Sequence, residues 1–196
     1  MSINLKRSLL SVGVLVATMG LNLNVNAAGQ NTANVTLSGL ISAVTCDIDV
    51  NGISGGTTIN TGMHTTSDFG STVNNVTGTP VTMVVTLKNC GDKNSVSETG
   101  NLYISGTTAP NGNNNIFVGN DAYTGFMILK TGGKTSKDAI ENDGHVPLDV
   151  KGYLDDDGDI TLGSASYTFN VAMASTITAP TPGLYTAPVI ISYVSE

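Results

Sequence analysis

The sequence is poor in basic and aromatic residues, and it has no tryptophan. Its one arginine is Arg7, and its eight basic residues stand against fifteen acidic ones, for a net charge of −7. A surface that neutralises a phosphate backbone needs clustered basic residues, so nucleic acid is not expected as a partner. No segment keeps a 3.6-residue apolar repeat over several turns. Abundant Thr, Ser, Asn, Gly and Val instead favour short strands joined by many turns, and hence an all-β fold.

The N-terminus has the layout of a secretory signal peptide. Lys6 and Arg7 form its basic start, an apolar stretch runs from Leu9 to about Leu23, and Ala27 ends a small-residue cleavage site. A membrane anchor is the weaker alternative, because polar residues and glycines interrupt a run already shorter than the ~20 apolar residues that a spanning helix needs. We therefore expect residues 1–27 to be removed. Cleavage takes away two basic residues and no acidic one, which changes the net charge from −7 to −9.

Two cysteines, Cys46 and Cys90, follow the predicted leader. In an exported chain, two cysteines are expected to form one disulfide. A metal site is the alternative, but His64 and His145 are far from both cysteines in sequence and show no ligand spacing. The sequence therefore predicts a disulfide and neither a metal nor a cofactor.

Alternating apolar and polar residues predict about eight short strands, which is typical of a sandwich. The first begins at Ala33 and alternates through Ile41 towards Ile48, and Thr57 could start a second. The others are predicted at Val81–Cys90, Leu102–Ser105, Ile116–Val118, Gly125–Lys130, Val146–Val150, Ile160–Leu162, Tyr167–Met173 and Tyr185–Tyr193. Turn clusters separate them, and residues 136–141 could form one helical turn.

Two motifs resemble sites of chemistry but lack required residues. Residues 133–135 read Gly-Lys-Thr, like the end of a phosphate-binding loop, but Ile128 stands where that motif needs a glycine. Residues 155–159 are rich in aspartate, but the calcium-loop register puts Tyr153 at position 1 and Ser164 at position 12, where a carboxylate is required. Both segments are better explained as turns. The two histidines lack a matching nucleophile motif, so the chain is not expected to be an enzyme.

Both ends of the chain resemble chaperone–usher fimbrial subunits, or pilins. Pilins have an alternating apolar strand with a glycine seven residues before the first cysteine, and Gly39 stands seven residues before Cys46. The segment Val85–Cys90 resembles the part of pilins that carries the second cysteine. Near the C-terminus, Gly183 is the fourteenth residue from the end and precedes another alternating strand. Pilins usually carry a penultimate tyrosine, whereas here Ser195 takes that position and Tyr193 lies two residues earlier.

The resemblance implies an incomplete, immunoglobulin-like sandwich over residues 43–196 that lacks its last strand, preceded by an N-terminal extension, residues 28–42. The extension would be a donor strand that fills the groove of the next subunit through Ala33, Val35, Leu37, Gly39 and Ile41. The groove, which a periplasmic chaperone would also occupy, would be lined by Gly183, Tyr185, Ala187, Val189, Ile191 and Tyr193. An ordinary first strand of the chain's own sandwich is the alternative for residues 28–42. If the donor interpretation holds, we expect the extension of an isolated subunit to project away from the sandwich or to pack loosely on it.

The function implied is that of a structural subunit of a bacterial surface fimbria, which polymerises by donor-strand exchange and contributes to adhesion. Its partners would be the periplasmic chaperone, the outer-membrane usher and other fimbrial subunits, and it would pass through the periplasm to the cell surface. A chain of this length leaves no room for the two domains of a tip adhesin. Two alternatives remain: a subunit whose own surface binds receptors, and a free secreted sandwich that binds carbohydrate.

Overall fold

The computed structural model describes residues 32–38, 46–90, 97–154, 156–158, 160–161 and 163–195, which form a single all-β domain. The strands are β1 (Thr32–Ser38), β2 (Asp47–Val50), β3 (Ile53–Ser54), β4 (Thr57–Met63), β5 (Asn75–Lys88), β6 (Ser97–Glu98), β7 (Gly100–Gly106), β8 (Thr124–Leu129), β9 (Gly144–Pro147), β10 (Val150–Lys151), β11 (Tyr153–Leu154), β12 (Ile160–Thr161), β13 (Ala165–Ser175) and β14 (Tyr185–Ser195). Within this described part, the only helical segments are two short 3-10 helices, Thr66–Phe69 and Ser136–Asp138.

Two five-stranded sheets pack face to face, as predicted for a sandwich. The first has the strand order β4-β1-β14-β7-β9, and the second has the order β3-β2-β5-β13-β8. All pairs in them are antiparallel except β1 with β14, which is parallel. The core between the sheets is filled by alternate residues of each, including Phe169 and Met83 from one and Ile104 and Val189 from the other.

Most predicted strands are present, but their lengths differ. The predicted strand at Val81 begins at Asn75, because residues before the bulge at Gly78 also pair with the end of β13. Ile116–Val118 is not a regular strand. There, Phe117 alone bridges to Phe126, and its loop covers the outer face of β8, so that all six residues of this edge strand are buried.

The two ends of the sandwich differ in what they carry. At the disulfide end, β2 begins next to Cys46 and β5 ends just before Cys90, and the two cysteines are bonded, as predicted. At the opposite end, which we call the loop end, β13 stops at Ser175 and β14 begins at Tyr185. The loop before β8 reaches this end too, because the amide of Thr176 donates to the carbonyl of Tyr123 at 2.9 Å.

A buried carboxylate fastens β2 to its neighbours near the disulfide end. Asp49 accepts hydrogen bonds from the Lys88 ammonium of β5 and from the Ser54 hydroxyl of β3. These hydrogen bonds, first that of Lys88 and then that of Ser54, lower the pKa of Asp49 below its usual value against the effect of burial. The carboxylate therefore stays charged well into the acid range and holds three strands together.

Candidate functional site

The first sheet contains a gap between β4 and β14 that only β1 fills. In the described part of the chain, β4 pairs with β1 alone, and β14 pairs with β1 and β7. Adjacent strands lie about 4.8 Å apart, so β4 and β14 are separated by about 9.6 Å, the width of one intervening strand. Without β1, β14 would present an unpaired edge and β4 would have no partner in this sheet.

One face of β14 is apolar and buried, as its alternation predicted. Tyr185, Ala187, Val189, Ile191 and Tyr193 all point into the core, and none is more than 9% exposed. The Tyr185 hydroxyl donates to the carbonyl of Thr181, and burial together with the nearby charge of Asp121 raises the pKa of this phenol. The strand therefore forms a continuous apolar wall along one side of the gap.

Strand β1 runs parallel to β14 in a register that matches the two predicted apolar sets. Ala33 pairs with Tyr185, Val35 with Ala187, and Leu37 with Val189. On its other side, β1 runs antiparallel to β4 with one bulge, where the Gly62 backbone has a φ of +91° and its amide donates to Asn60 Oδ1 at 2.8 Å. The described part of the extension, Thr32–Ser38, thus lies between both walls of the gap.

The expectation that the extension projects from an isolated subunit or packs loosely on it was wrong for the residues that the structure describes. Its described part, Thr32–Ser38, is paired on both sides within its own first sheet. The physical reason is tethering: a strand that is covalently joined to an open groove has a high effective concentration there. An unfilled gap would leave backbone groups unpaired along two strands, which is unfavourable.

Not all of the predicted groove and donor residues lie in this arrangement. Gly183 is in the turn before β14, where it is exposed and has open space around it, so it does not line the gap. Gly39 and Ile41 lie outside the described residues. For the second wall, β4, the sequence predicted only a start at Thr57. The strand has just two large apolar residues, Ile59 and Met63, so it shows little of the alternation that marks a strand.

The two motifs that resemble sites of chemistry are turns in the structure. The amides of Lys134 and Thr135 both donate to Asp138 Oδ2 at 3.0 Å, so they are not free to bind an anion. In the aspartate-rich segment, the described residues 156–158 form a turn between β11 and β12, which pair as a hairpin. Among the described residues, no three His, Cys, Asp or Glu side chains are grouped to hold a metal ion, and no helix is long and apolar enough to cross a membrane.

Comparison with models of known protein families identifies the family of the chain. The family model described as "Fimbrial protein" matches residues 22–193, which is most of the chain. The chain belongs to the fimbrial protein family. Fimbrial proteins are structural and not enzymatic, and they assemble with one another into an appendage of the cell surface. No curated protein matches the chain closely enough to be reported as a relative.

In this fimbrial protein, two neighbouring isoleucines of β14 test how much the apolar wall contributes to stability. Ile191 is 1% exposed and Ile190 is 42% exposed. We expect Ile191→Ala to lower the free energy of unfolding by about 2–5 kcal/mol, since it leaves a cavity in the core. Ile190→Ala should change it by less than about 1 kcal/mol. Urea unfolding of the two variants measures both values, and equal losses would contradict the burial of this face.

Proposed function

We propose that the chain is a fimbrial subunit that polymerises by donor-strand exchange. After removal of the leader, residues 1–27, the extension of one subunit leaves its own groove and fills the β4–β14 gap of the next. The observation that carries the proposal is the composition of the first sheet, in which, among the described strands, β4 and β14 are joined only through the N-terminal strand. A strand supplied by another chain can make the same backbone hydrogen bonds, which is β-strand addition.

The matched register supports this proposal. The three described donor residues, Ala33, Val35 and Leu37, pair with three residues of the apolar wall whose side chains are buried. Burial of one large apolar side chain is worth roughly 1.5–3 kcal/mol, so several in register can hold two subunits together for long periods.

The same gap supports the proposal that the subunit needs a chaperone and an usher. A groove emptied during exchange would expose an apolar wall and the unpaired edges of β4 and β14, which is a template for aggregation. A periplasmic chaperone that lends its own strand would keep this edge covered. An outer-membrane usher would then be the place where the strand of the next subunit replaces that of the chaperone, and the fibre would be exported to the cell surface from there.

Two adjacent substitutions in β1 test the proposal. Leu37 pairs with the buried Val189, whereas Thr36 pairs with the exposed Pro188. We expect Leu37→Asp to block the addition of subunits, because it would place a charge against the apolar wall, and Thr36→Asp to leave assembly near the wild-type level. Electron microscopy and denaturant-resistant ladders from cells that make each variant measure assembly.

The outcome for Leu37→Asp separates the two interpretations of β1. If cells that make this variant form fibres of normal length, donor-strand exchange through this segment is refuted, and β1 is only a strand of its own sandwich. The variant should also lower the stability of the isolated subunit, since β1 fills the groove of the same chain.

A further inference from the structure

Exposed apolar side chains are concentrated at the loop end of the sandwich. Nine large apolar side chains are exposed among the described residues, and five of them belong to loops and strand ends at this end. We call these five the apolar collar: Met63, Val73, Tyr123, Ile177 and Leu184. Hydrogen bonds tie the collar segments together. Asn120 Nδ2 donates to the carbonyl of Leu184, and the Asn74 amide donates to the carbonyl of Ser175.

The loop end also carries none of the lysines that the structure describes. Lys88 and Lys151 lie at the disulfide end, and Lys130, Lys134 and Lys137 lie in the loop that follows β8, beside the middle of β13. Large exposed apolar patches are rare on monomeric proteins, and they generally mark sites of interaction.

The collar is continuous with the gap that receives the donor strand. Met63 is the last residue of β4, and Leu184 immediately precedes β14, so each wall of the gap ends in a collar residue. Beside them is a cleft of about 410 Å³ between the loops at residues 107–110 and 118–122. Gly119 lies so close to β14 that a Cβ there would be 2.4 Å from the carbonyl oxygen of Thr186. The cleft therefore lies directly against the strand that forms one wall of the gap.

The length of the chain brings a neighbouring subunit against one end of the groove. Only residues 39–45 separate the end of β1 from Cys46, and the eight peptide units from Ser38 to Cys46 span at most about 29 Å. A subunit whose donor strand fills the groove is therefore held close to the acceptor. Its body lies at the loop end if the incoming strand runs antiparallel to β14, and at the disulfide end if it runs parallel.

We propose that the apolar collar is the docking surface for the body of the next subunit, a second copy of this chain. The inference rests on the proposed function, to which it adds the second contact between subunits. It requires the incoming strand to run antiparallel to β14, which is opposite to the direction of β1 within a single chain. The collar is then buried only after exchange. Its burial therefore stabilises the polymer relative to the single subunit, whose groove is filled by its own β1.

Two leucine substitutions test the collar on the full mature chain, residues 28–196. Leu184 is in the collar and 49% exposed, whereas Leu154 is 62% exposed in the β11–β12 hairpin, away from the loop end. We expect Leu184→Asp to slow the formation of denaturant-resistant oligomers by between about 10-fold and 100-fold, and Leu154→Asp to leave it unchanged. Uptake of a fluorescent peptide with the sequence of residues 28–42 should be equal in both variants, because that measurement reports the groove alone.

The outcomes distinguish the collar from the proposed function. Equal oligomer formation by Leu184→Asp and Leu154→Asp, with normal uptake of the peptide, overturns the collar and leaves donor-strand exchange intact. A wild-type chain that neither forms oligomers nor takes up the peptide overturns both. Normal fibres of Leu184→Asp that have lost adhesion to host cells would make the collar a receptor site, which also refutes docking of a second copy.

Discussion

Deletion of residues 28–38 from a chain of residues 28–196 is expected to unfold most of the protein at 25 °C. Each of the seven residues of β1 pairs with at least one neighbouring strand, and residues 34–37 pair on both sides, at roughly one backbone hydrogen bond per residue; each such bond contributes a net free energy of about 1 kcal/mol. With the apolar wall also uncovered, the loss is on the order of 5–10 kcal/mol, which is comparable to the whole stability of an ordinary domain. A free peptide of residues 28–42 should restore the fold, and circular dichroism during thermal unfolding measures both steps.

Peptide variants provide the matched control for this rescue. A peptide that carries Thr36→Asp should restore the thermal transition, and one that carries Leu37→Asp should not, because these positions pair with the exposed Pro188 and the buried Val189. A truncated chain whose melting temperature equals that of the full mature chain would show that β1 does not complete the first sheet. Rescue by the Leu37→Asp peptide would show that the donor register is different.

Loss of the disulfide is expected to have the second largest effect. The bond between Cys46 and Cys90 closes a loop with a sequence separation of 44, which in the chain-entropy model contributes about 4 kcal/mol to the free energy of unfolding. Both cysteines are buried at the disulfide end, where β2 and β5 pair. The double substitution Cys46→Ser with Cys90→Ser should therefore lower the yield of folded subunit sharply, and urea unfolding of what is recovered measures the loss.

Reduction of the wild-type chain serves as the control, since it breaks the same bond without substituting any residue. The two measurements should agree within about 1 kcal/mol, the scale of a typical single substitution. Two free thiols in the mass spectrum of the non-reduced protein would contradict the bond itself. A double variant as stable as the wild-type chain would show that the loop is constrained by packing alone.

The sequence predicted best those strands that alternate between the core and solvent. The buried set of β14, from Tyr185 to Tyr193, follows from period-two alternation alone, and so does most of β13. Strand β8 does not alternate between apolar and polar residues, because the loop around Phe117 covers its outer face and both faces of the strand are buried. Its strand was found as an apolar run, but nothing in the sequence shows which segment covers it.

The candidate site was only half predictable, for a reason of geometry. The apolar pattern of Ala33, Val35 and Leu37 is the same whether the strand fills the groove of its own chain or that of another, so the sequence could not decide between them. The pairing of β1 with β4 and β14 shows that the groove and the strand fit within one chain. The bulge at Gly62 and the second wall depend on contacts between segments, which local patterns do not encode.

The absence of described lysines from the loop end has a consequence for proteolysis. Trypsin cleaves after Lys and Arg, and between Ala28 and Leu87 the sequence has neither residue, nor does it after Lys151. The donor strand, both walls of the gap and the whole of β13 therefore contain no internal site for this protease. Every bond that trypsin can cut in residues 28–196 follows Lys88, Lys93, Lys130, Lys134, Lys137 or Lys151. If β1 joins one subunit to the next as proposed, a nick at any of these sites leaves that strand uncut, and a fibre would keep its continuity in a trypsin-rich fluid.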